Sequence, residues 1–385
     1  MSKKEPPEPL LKAAETLFSE PAERTDFVEA MMAGESREQS IIILNDRIEI
    51  KAFPRHRRLK WQPEFVERIS DDFRPSKHPL YEKGAYYSLD FSSVFSASAM
   101  LAIPRDPVRV LDMCSSPGGK AIFAYRAFEP EILYCNESIR KRAGALIANL
   151  DRCKIERSRV WSADPSVYSK EFKETFDLVI CDVPCSGQSL MAKGEDAHES
   201  FFPNEIDKNV GRQRRILGNA VRTLMPGGHM LYATCTFTTR ENERVIEWFL
   251  KNHASMEAVE VPHLADFRSP LSAFPSYRLY PHQNLGAGAF VCLLKKKGEV
   301  LIEPHDLDFP YLWKFGDEVL SRRPHEEEVE PVEEEKPPVE LTARQIVRAA
   351  TAKPKPEKRP RRPLGPRGRS GARQNKPPSG KRKRG

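Results

Sequence analysis

Between residues 109 and 294, short apolar runs alternate with longer stretches whose apolar positions recur every three or four residues. The runs Arg109–Met113, Glu131–Cys135, Arg159–Ser162, Leu178–Asp182, His229–Thr234, Glu257–Val261 and Phe290–Leu294 predict strands. Gly119–Phe128, Ser138–Asp151, Glu205–Leu224 and Arg240–His253 predict helices. Strands alternating with helices of this length predict an α/β fold with a doubly wound, mostly parallel, Rossmann-like sheet. Met225-Pro226-Gly227-Gly228 reads as the turn between the third helix and the next strand. Upstream, Leu10, Leu11, Ala14, Leu17 and Phe18 keep helical spacing, and Phe27–Met32 predicts a second helix stopped by Gly34. Ile41–Leu44 predicts a strand with a turn at Asn45-Asp46, and Ser92–Leu101 a helix ending before Pro104 and packed on the sheet.

Composition changes this picture mainly at the C-terminus. The 385 residues carry a formal charge of +7 and 33 prolines. Residues 351–385 hold fourteen Lys/Arg against one Glu, a net +13, so residues 1–350 sum to −6. Such a tail buries no core; it is expected to be disordered and to attract nucleic acid. The acidic run 326–335 precedes it, with a short helix expected around Leu341, Ile346 and Val347. The expected organisation is a 1–78 N-terminal segment, a 79–298 α/β domain, a 299–350 acidic linker and a 351–385 basic tail. No run of eighteen apolar residues suggests a membrane span, and MSKKEPPEPL has no apolar signal core, so a cytoplasmic, monomeric protein is expected. Seven cysteines without zinc spacing read as reduced thiols, with no metal.

The candidate chemistry lies where ligands bind such sheets, at the carboxyl ends of the strands. The stretch RVLDMCSSPGGK at Arg109–Lys120 reads as strand, glycine turn and helix N-terminus, but it is not a GxGxxG site. Its glycines are expected to let a ligand approach the backbone closely. The loop Cys114, Ser115, Ser116, Pro117, Gly118, Gly119 and Lys120 is therefore a cofactor-binding candidate, preceded by Asp112. Asn136 and Glu137 follow the second strand, with Glu137 placed for ribose hydroxyls, and Asp164 follows the third, suited to an amine or adenine edge. Asp182 and Pro184-Cys185-Ser186-Gly187 follow the fourth, and Thr234-Cys235-Thr236 the fifth. A thiolate adds to an electron-poor carbon, and two thiols at one sheet edge exceed structural need. Cys135, Cys153, Cys181 and Cys292 read as small buried hydrophobes, and so does the Cys114 thiol.

DVPCSG at Asp182–Gly187, YATCTF at Tyr232–Phe237 and LDMCSSPGGK at Leu111–Lys120 resemble the RsmB/NOP2/Sun family of RNA cytosine-5 methyltransferases. So do RQRRILGNAVRTLMPGG at Arg212–Gly228, ENE at Glu241–Glu243 and RLYPHQNLGAGAFVCLLKK at Arg278–Lys296. The resemblance covers residues 79–297 and departs in the two serines of CSSPGGK, where the family has alanines. It implies a class I methyltransferase using S-adenosylmethionine, held by Cys114–Lys120, Glu137, Asp164 and Asp182. It implies Cys235 as nucleophile and Cys185 as the thiol that helps release the product. Cytosine C5 is a weak nucleophile until a thiolate adds at C6, and an acid at N3, here Asp182, assists that addition. The partner implied is RNA, ribosomal before transfer RNA. Lys193, Arg212, Arg214, Arg215 and the basic run Arg55–Trp61 are candidate RNA contacts, the last through phosphates and stacking by Trp61. The alternatives are a non-catalytic RNA-binding ribosome-assembly factor on the same fold, and methylation of DNA or protein.

Overall fold

The computed structural model describes residues 5–44, 53–70, 72–301 and 311–315. The Asn45-Asp46 turn, the acidic run, the short helix after it and the basic tail lie outside them. Two helices open the chain, α1 (Glu8–Leu17) and α2 (Pro21–Ala33), the latter ended by Gly34 at φ +66°. Strand β1 (Gln39–Ile43) is the middle of a three-stranded antiparallel sheet, between β2 (Val66–Ile69) and β3 (Tyr86–Asp90). A one-turn helix, α3 (Pro79–Glu82), lies between β2 and β3. Asp90 caps α4 (Phe91–Ser98) by accepting from the Ser92 amide, and α4 tightens into a 3-10 turn, Ala99–Ala102.

The alternating core follows: β4 (Arg109–Asp112), α5 (Gly119–Phe128), β5 (Ile132–Asn136), α6 (Arg140–Arg152), β6 (Ser158–Trp161), α7 (Pro165–Glu171) and β7 (Phe176–Asp182). Then come α8 (Ser189–Ala192), α9 (Pro203–Thr223), β8 (Leu224–Thr234), α10 (Glu243–Asn252), β9 (Met256–Val259), β10 (Tyr277–Leu279), β11 (Ala289–Lys296) and β12 (Trp313–Lys314). These strands form a nine-stranded sheet in the order β10-β11-β8-β7-β4-β5-β6-β12, with β9 also on β11. The five strands from β8 to β6 are parallel, as the alternation predicts. The chain leaves β4 toward β5 and returns on its other side at β7, so the switch point lies between β4 and β7.

Apolar side chains fill both faces of the sheet. One face packs on α4, α5 and α6 through Phe95, Ile122, Phe123 and Leu146; the other packs on α7, α9 and α10 through Tyr168, Leu217 and Phe249. Helix α9 buries Ile206, Gln213, Ile216, Leu217 and Ala220 along one stripe. Among the described residues no helix is long and apolar enough to cross a membrane.

The structure departs from the sequence expectations at several points. Met225–Gly228 falls within the bounds of β8, but none of the four pairs with β7, whose partners jump from Phe176–Leu224 to Leu178–His229, and Gly227 stands at φ +76°, so the expected turn lies inside the first residues of the strand. Trp61 is no stacking platform for bases. Its ring is 7% exposed and stacks on Phe91 at 4.8 Å. In the same run, Arg55 and Arg58 pair with Glu67, at 3.3 and 3.0 Å. The residue 78 boundary falls inside the three-stranded sheet, because β1 and β2 precede it and β3 follows. The first helices also reach the main body: Phe18 and Phe27 pack on Tyr280, and Phe27 meets Phe237 edge-on at 5.2 Å. Truncating so buried an indole costs about 3–5 kcal/mol. Trp61→Ala should therefore lower the unfolding free energy by that amount in urea titration, whereas exposed Arg57→Ala should change it by less than about 0.5 kcal/mol.

Candidate active site

The register of adjacent parallel strands creates the site. Asp182 of β7 lies opposite Ala233 of β8. Both chains leave the sheet just beyond that pair, carrying Cys185 three residues on and Cys235 two residues on. The two Sγ atoms are 3.2 Å apart. Cys235 is exposed and Cys185 half-buried. The hydrogen bond from Cys185 lowers the pKa of Cys235, and Lys120 adds to this, while burial and the Asp182 charge oppose it. That same bond, together with burial, pushes the Cys185 thiol up. The pair thus divides its roles, with the exposed sulfur favoured as thiolate and its neighbour holding the proton.

Lys120, one residue into α5, reaches across the switch point to Asp182, with Nζ 2.7 Å from Oδ2. Asp112 ends β4 beneath them and is 1% exposed. Burial pushes it up to about 7, and the nearby Asp182 charge acts in the same direction. The other thiols are core groups: Cys135, Cys153, Cys181 and Cys292 are buried, and burial raises each of them. The Cys114 thiol, within the loop, is also raised by burial.

The loop Cys114–Gly119 is braced from outside. Ser116 exchanges hydrogen bonds with Arg142, and the Pro117 carbonyl accepts from Asn149 Nδ2 at 2.9 Å. Gly118 stands at φ +112°. A Cβ on the neighbouring Gly119 would come within 2.7 Å of Leu89 Cδ1, the far end of a side chain that can turn aside. Among the described residues no side chain caps the start of α5, and Ser115 Oγ is buried without a hydrogen-bond partner. Glu137, 3% exposed, accepts from the Ile139 amide at 2.9 Å and meets Arg142 at 3.3 Å.

The family described as 16S rRNA methyltransferase RsmB/F matches residues 99–295, just over half of the chain. The chain belongs to this family. Its relatives include the ribosomal RNA small subunit methyltransferase F of Klebsiella pneumoniae (strain 342), 30% identical over 242 residues, covering 61% of this chain and 50% of that protein. The protein of that name from Salmonella heidelberg is 34% identical over 204 residues, covering 52% and 42%. The chain thus spans about half the length of the curated relatives it matches. Among solved structures, NSun6 from Pyrococcus horikoshii with SFG superposes with a TM-score of 0.63 at 18% identity, covering 76% of this chain and 99% of that one. A methyltransferase homologue from the same organism gives 0.59 at 21%, covering 75% and 99%. These two likenesses show the fold.

Other residues of this RsmB/F-family chain that stood out in the sequence have structural work. Asn136 is fully buried and ties β5 to its neighbours: Nδ2 donates to the Met113 and Ala163 carbonyls, and Oδ1 accepts from Tyr168. Asp164 caps α7 and takes both its oxygens to Arg215, at 2.8 and 2.7 Å. Burial opposes its ionisation, but the Ser166 amide and Arg215 outweigh it and lower its pKa. Arg215 is thereby committed to Asp164, Arg214 lies over Trp248 at 4.8 Å, and Lys193 pairs with Asp90 at 3.1 Å. Arg212 is exposed and, among the described residues, its side chain donates to Asn209.

Sequence reasoning missed the residues that hold the cysteine loops. Gln188 Oε1 accepts from the Phe237 and Thr238 amides, and the Ser189 amide donates to the Cys235 carbonyl. Arg278 and Glu243 form a buried pair, at 2.6 and 2.5 Å, and Arg278 also donates to the Phe237 carbonyl. Residue spacing alone carries no signal for such contacts, since partners lie up to 50 positions apart.

Asp112 makes stability depend on pH. An unfolded aspartate ionises near 3.8 and the folded one near 7, so between those values the folded chain holds the extra proton. Its contribution is fully present below about pH 4 and is lost as pH rises through 7. Asp112→Asn should gain on wild type by about 4 kcal/mol between pH 4 and pH 8, read by urea unfolding at each pH.

Proposed function

We propose that this chain transfers a methyl group to C5 of a cytosine in RNA through a transient bond between Cys235 Sγ and ring carbon C6. The observation that carries this reading is the pair of sulfurs 3.2 Å apart, above the ends of β7 and β8 and within the field of the Lys120–Asp182 pair. S-adenosylmethionine, when bound, supplies an electrophilic methyl group. The uncapped start of α5 and the unpartnered Ser115 Oγ fit such a cofactor, with Cys114–Lys120 as its cradle. Glu137 would accept from its ribose hydroxyls, Asp164 would face its adenine edge and Asp182 would lie beside its reactive end.

The side chains then divide the work. Cys235 adds to C6 as thiolate, and the ring electrons shift to make C5 nucleophilic. Asp182 holds a proton at N3, which favours this addition. After methylation solvent in the cleft takes the C5 proton, its electron pair restores the C5–C6 double bond, and Cys235 leaves C6 with the former C–S bonding pair as a thiolate. Cys185 assists that last step from hydrogen-bonding distance. Both ring carbons must reach a sulfur in the cleft, so the base has to leave its stack. Ribosomal RNA is the substrate class favoured by the relatives' names, and the expected RNA contacts include the basic tail.

Two substitutions test the assignment in assays with labelled RNA and S-adenosylmethionine. Cys235→Ala should cut methyl transfer at least about a thousandfold while cofactor binding persists. Cys185→Ala should leave a covalent RNA–protein adduct on denaturing gels. An active Cys235→Ala enzyme would show that another group adds to the base. Bisulfite sequencing of RNA from cells with and without the protein would locate the modified cytosine; no difference at any position would contradict the reading.

A further inference from the structure

The dipeptide before α10 touches both cysteine loops. Glu241 is fully buried. Its Oε2 accepts from the Ser186 amide at 2.9 Å and from Gln213 Nε2 at 2.8 Å, and Gln213 Nε2 also donates to the Pro184 carbonyl at 3.0 Å. One carboxylate therefore grips the backbone on both sides of Cys185, directly after it and through Gln213 before it. The next residue does the same for the other thiol. Asn242 Oδ1 accepts from Thr234 Oγ1 at 2.6 Å, and its Nδ2 donates to the Thr236 carbonyl at 2.9 Å. Ser186 Oγ and Thr236 Oγ1 close the bracket at 2.8 Å.

Helix capping does not explain these residues, because the Asn242 side chain makes no cap bond to α10. Nor does stability alone explain a buried acid. Burial raises the Glu241 pKa, and its Oε1 is buried without a partner, as is Oε1 of Gln213. The Tyr232 hydroxyl fixes the Glu241 backbone by donating to its carbonyl at 2.5 Å. A costly acid is thus held rigidly against the residues flanking one sulfur, while its neighbour flanks the other.

We infer that Glu241 and Asn242 are positioning residues that set the gap between the two thiols, Glu241 acting on Cys185 and Asn242 on Cys235. The geometric part stands on the contacts alone; the assignment of Glu241 to product release rests on the proposed function. The two parts have separate tests.

The first uses the full chain without RNA. Diamide oxidises a thiol pair to a disulfide, taking up both protons and both electrons, and the rate of forming the Cys185–Cys235 bond reports how the sulfurs are held. Mass spectrometry of the linked peptides follows it. Glu241→Ala and Asn242→Ala should each slow the reaction about tenfold or more. Glu241→Gln, which keeps an acceptor oxygen for the Ser186 amide, should return it to within about threefold of wild type. Should Glu241→Ala fail to fold, Glu241→Asp carries the same expectation, because its shorter stem withdraws the carboxylate. Oxidation of Glu241→Ala or Glu241→Asp at the wild-type rate would overturn the proposal. The second test uses labelled RNA: Glu241→Ala should accumulate the adduct seen with Cys185→Ala at near-normal single-turnover methyl transfer, with rescue by Glu241→Gln. Asn242→Ala should instead slow that first turnover without adduct. Equal loss of both steps in both variants would overturn the division of labour. A Cys185→Ala protein that traps no adduct would count against the proposed function and leave the oxidation result decisive for positioning.

Discussion

The parallel pairing of β7 with β8 is the constraint on which the site depends. With Asp182 opposite Ala233, the two chains leave the sheet at the same height, about 4.8 Å apart. Only then do short loops suffice to bring Cys185 and Cys235 into contact. A slip of one residue would turn the side chains of one strand to the other face and carry its sulfur away from the cleft. The register is secured by apolar residues on both faces, among them Leu178, Val179, Ile180, Met230, Leu231 and Tyr232, all fully buried.

Polar groups refine what the register places. The contact between the sulfurs pulls their pKa values apart, lowering that of exposed Cys235 and raising that of Cys185. Lys120 and Asp182 set the local charge, and burial beneath them raises the pKa of Asp112 to about 7. Further back, Gln188, Gln213, Glu241, Asn242 and the Arg278–Glu243 pair replace solvent as partners for the loop backbone. The first helices contribute through Phe18 and Phe27, which pack around Phe237 and Tyr280, so the N-terminal part supports the loop that carries Cys235.

The parts of the fold legible in the sequence were those with a local cause. Helix α5 runs over Gly119–Phe128 as its spacing predicts, and the strands around Val110, Leu133, Val160 and Ile180 are short buried runs bounded by turn residues. Misreadings arose where a distant partner overrode local preference. Trp61 ends a basic run, yet Phe91 and Phe95 offer its ring a larger gain by burial than solvent does.

By itself, then, the chain's pattern of apolar runs and helical stripes determined a parallel α/β sheet, and its strand-end residues marked which groups stand at one edge. Strand order, the distance between the sulfurs, the direction in which each thiol titrates and the brackets that hold them were decided by tertiary structure. The physical reason is separation along the chain. Periodicity reports only on neighbours within a turn or a strand, whereas Cys185 and Cys235 lie fifty residues apart and meet through a sheet that neither segment can form alone.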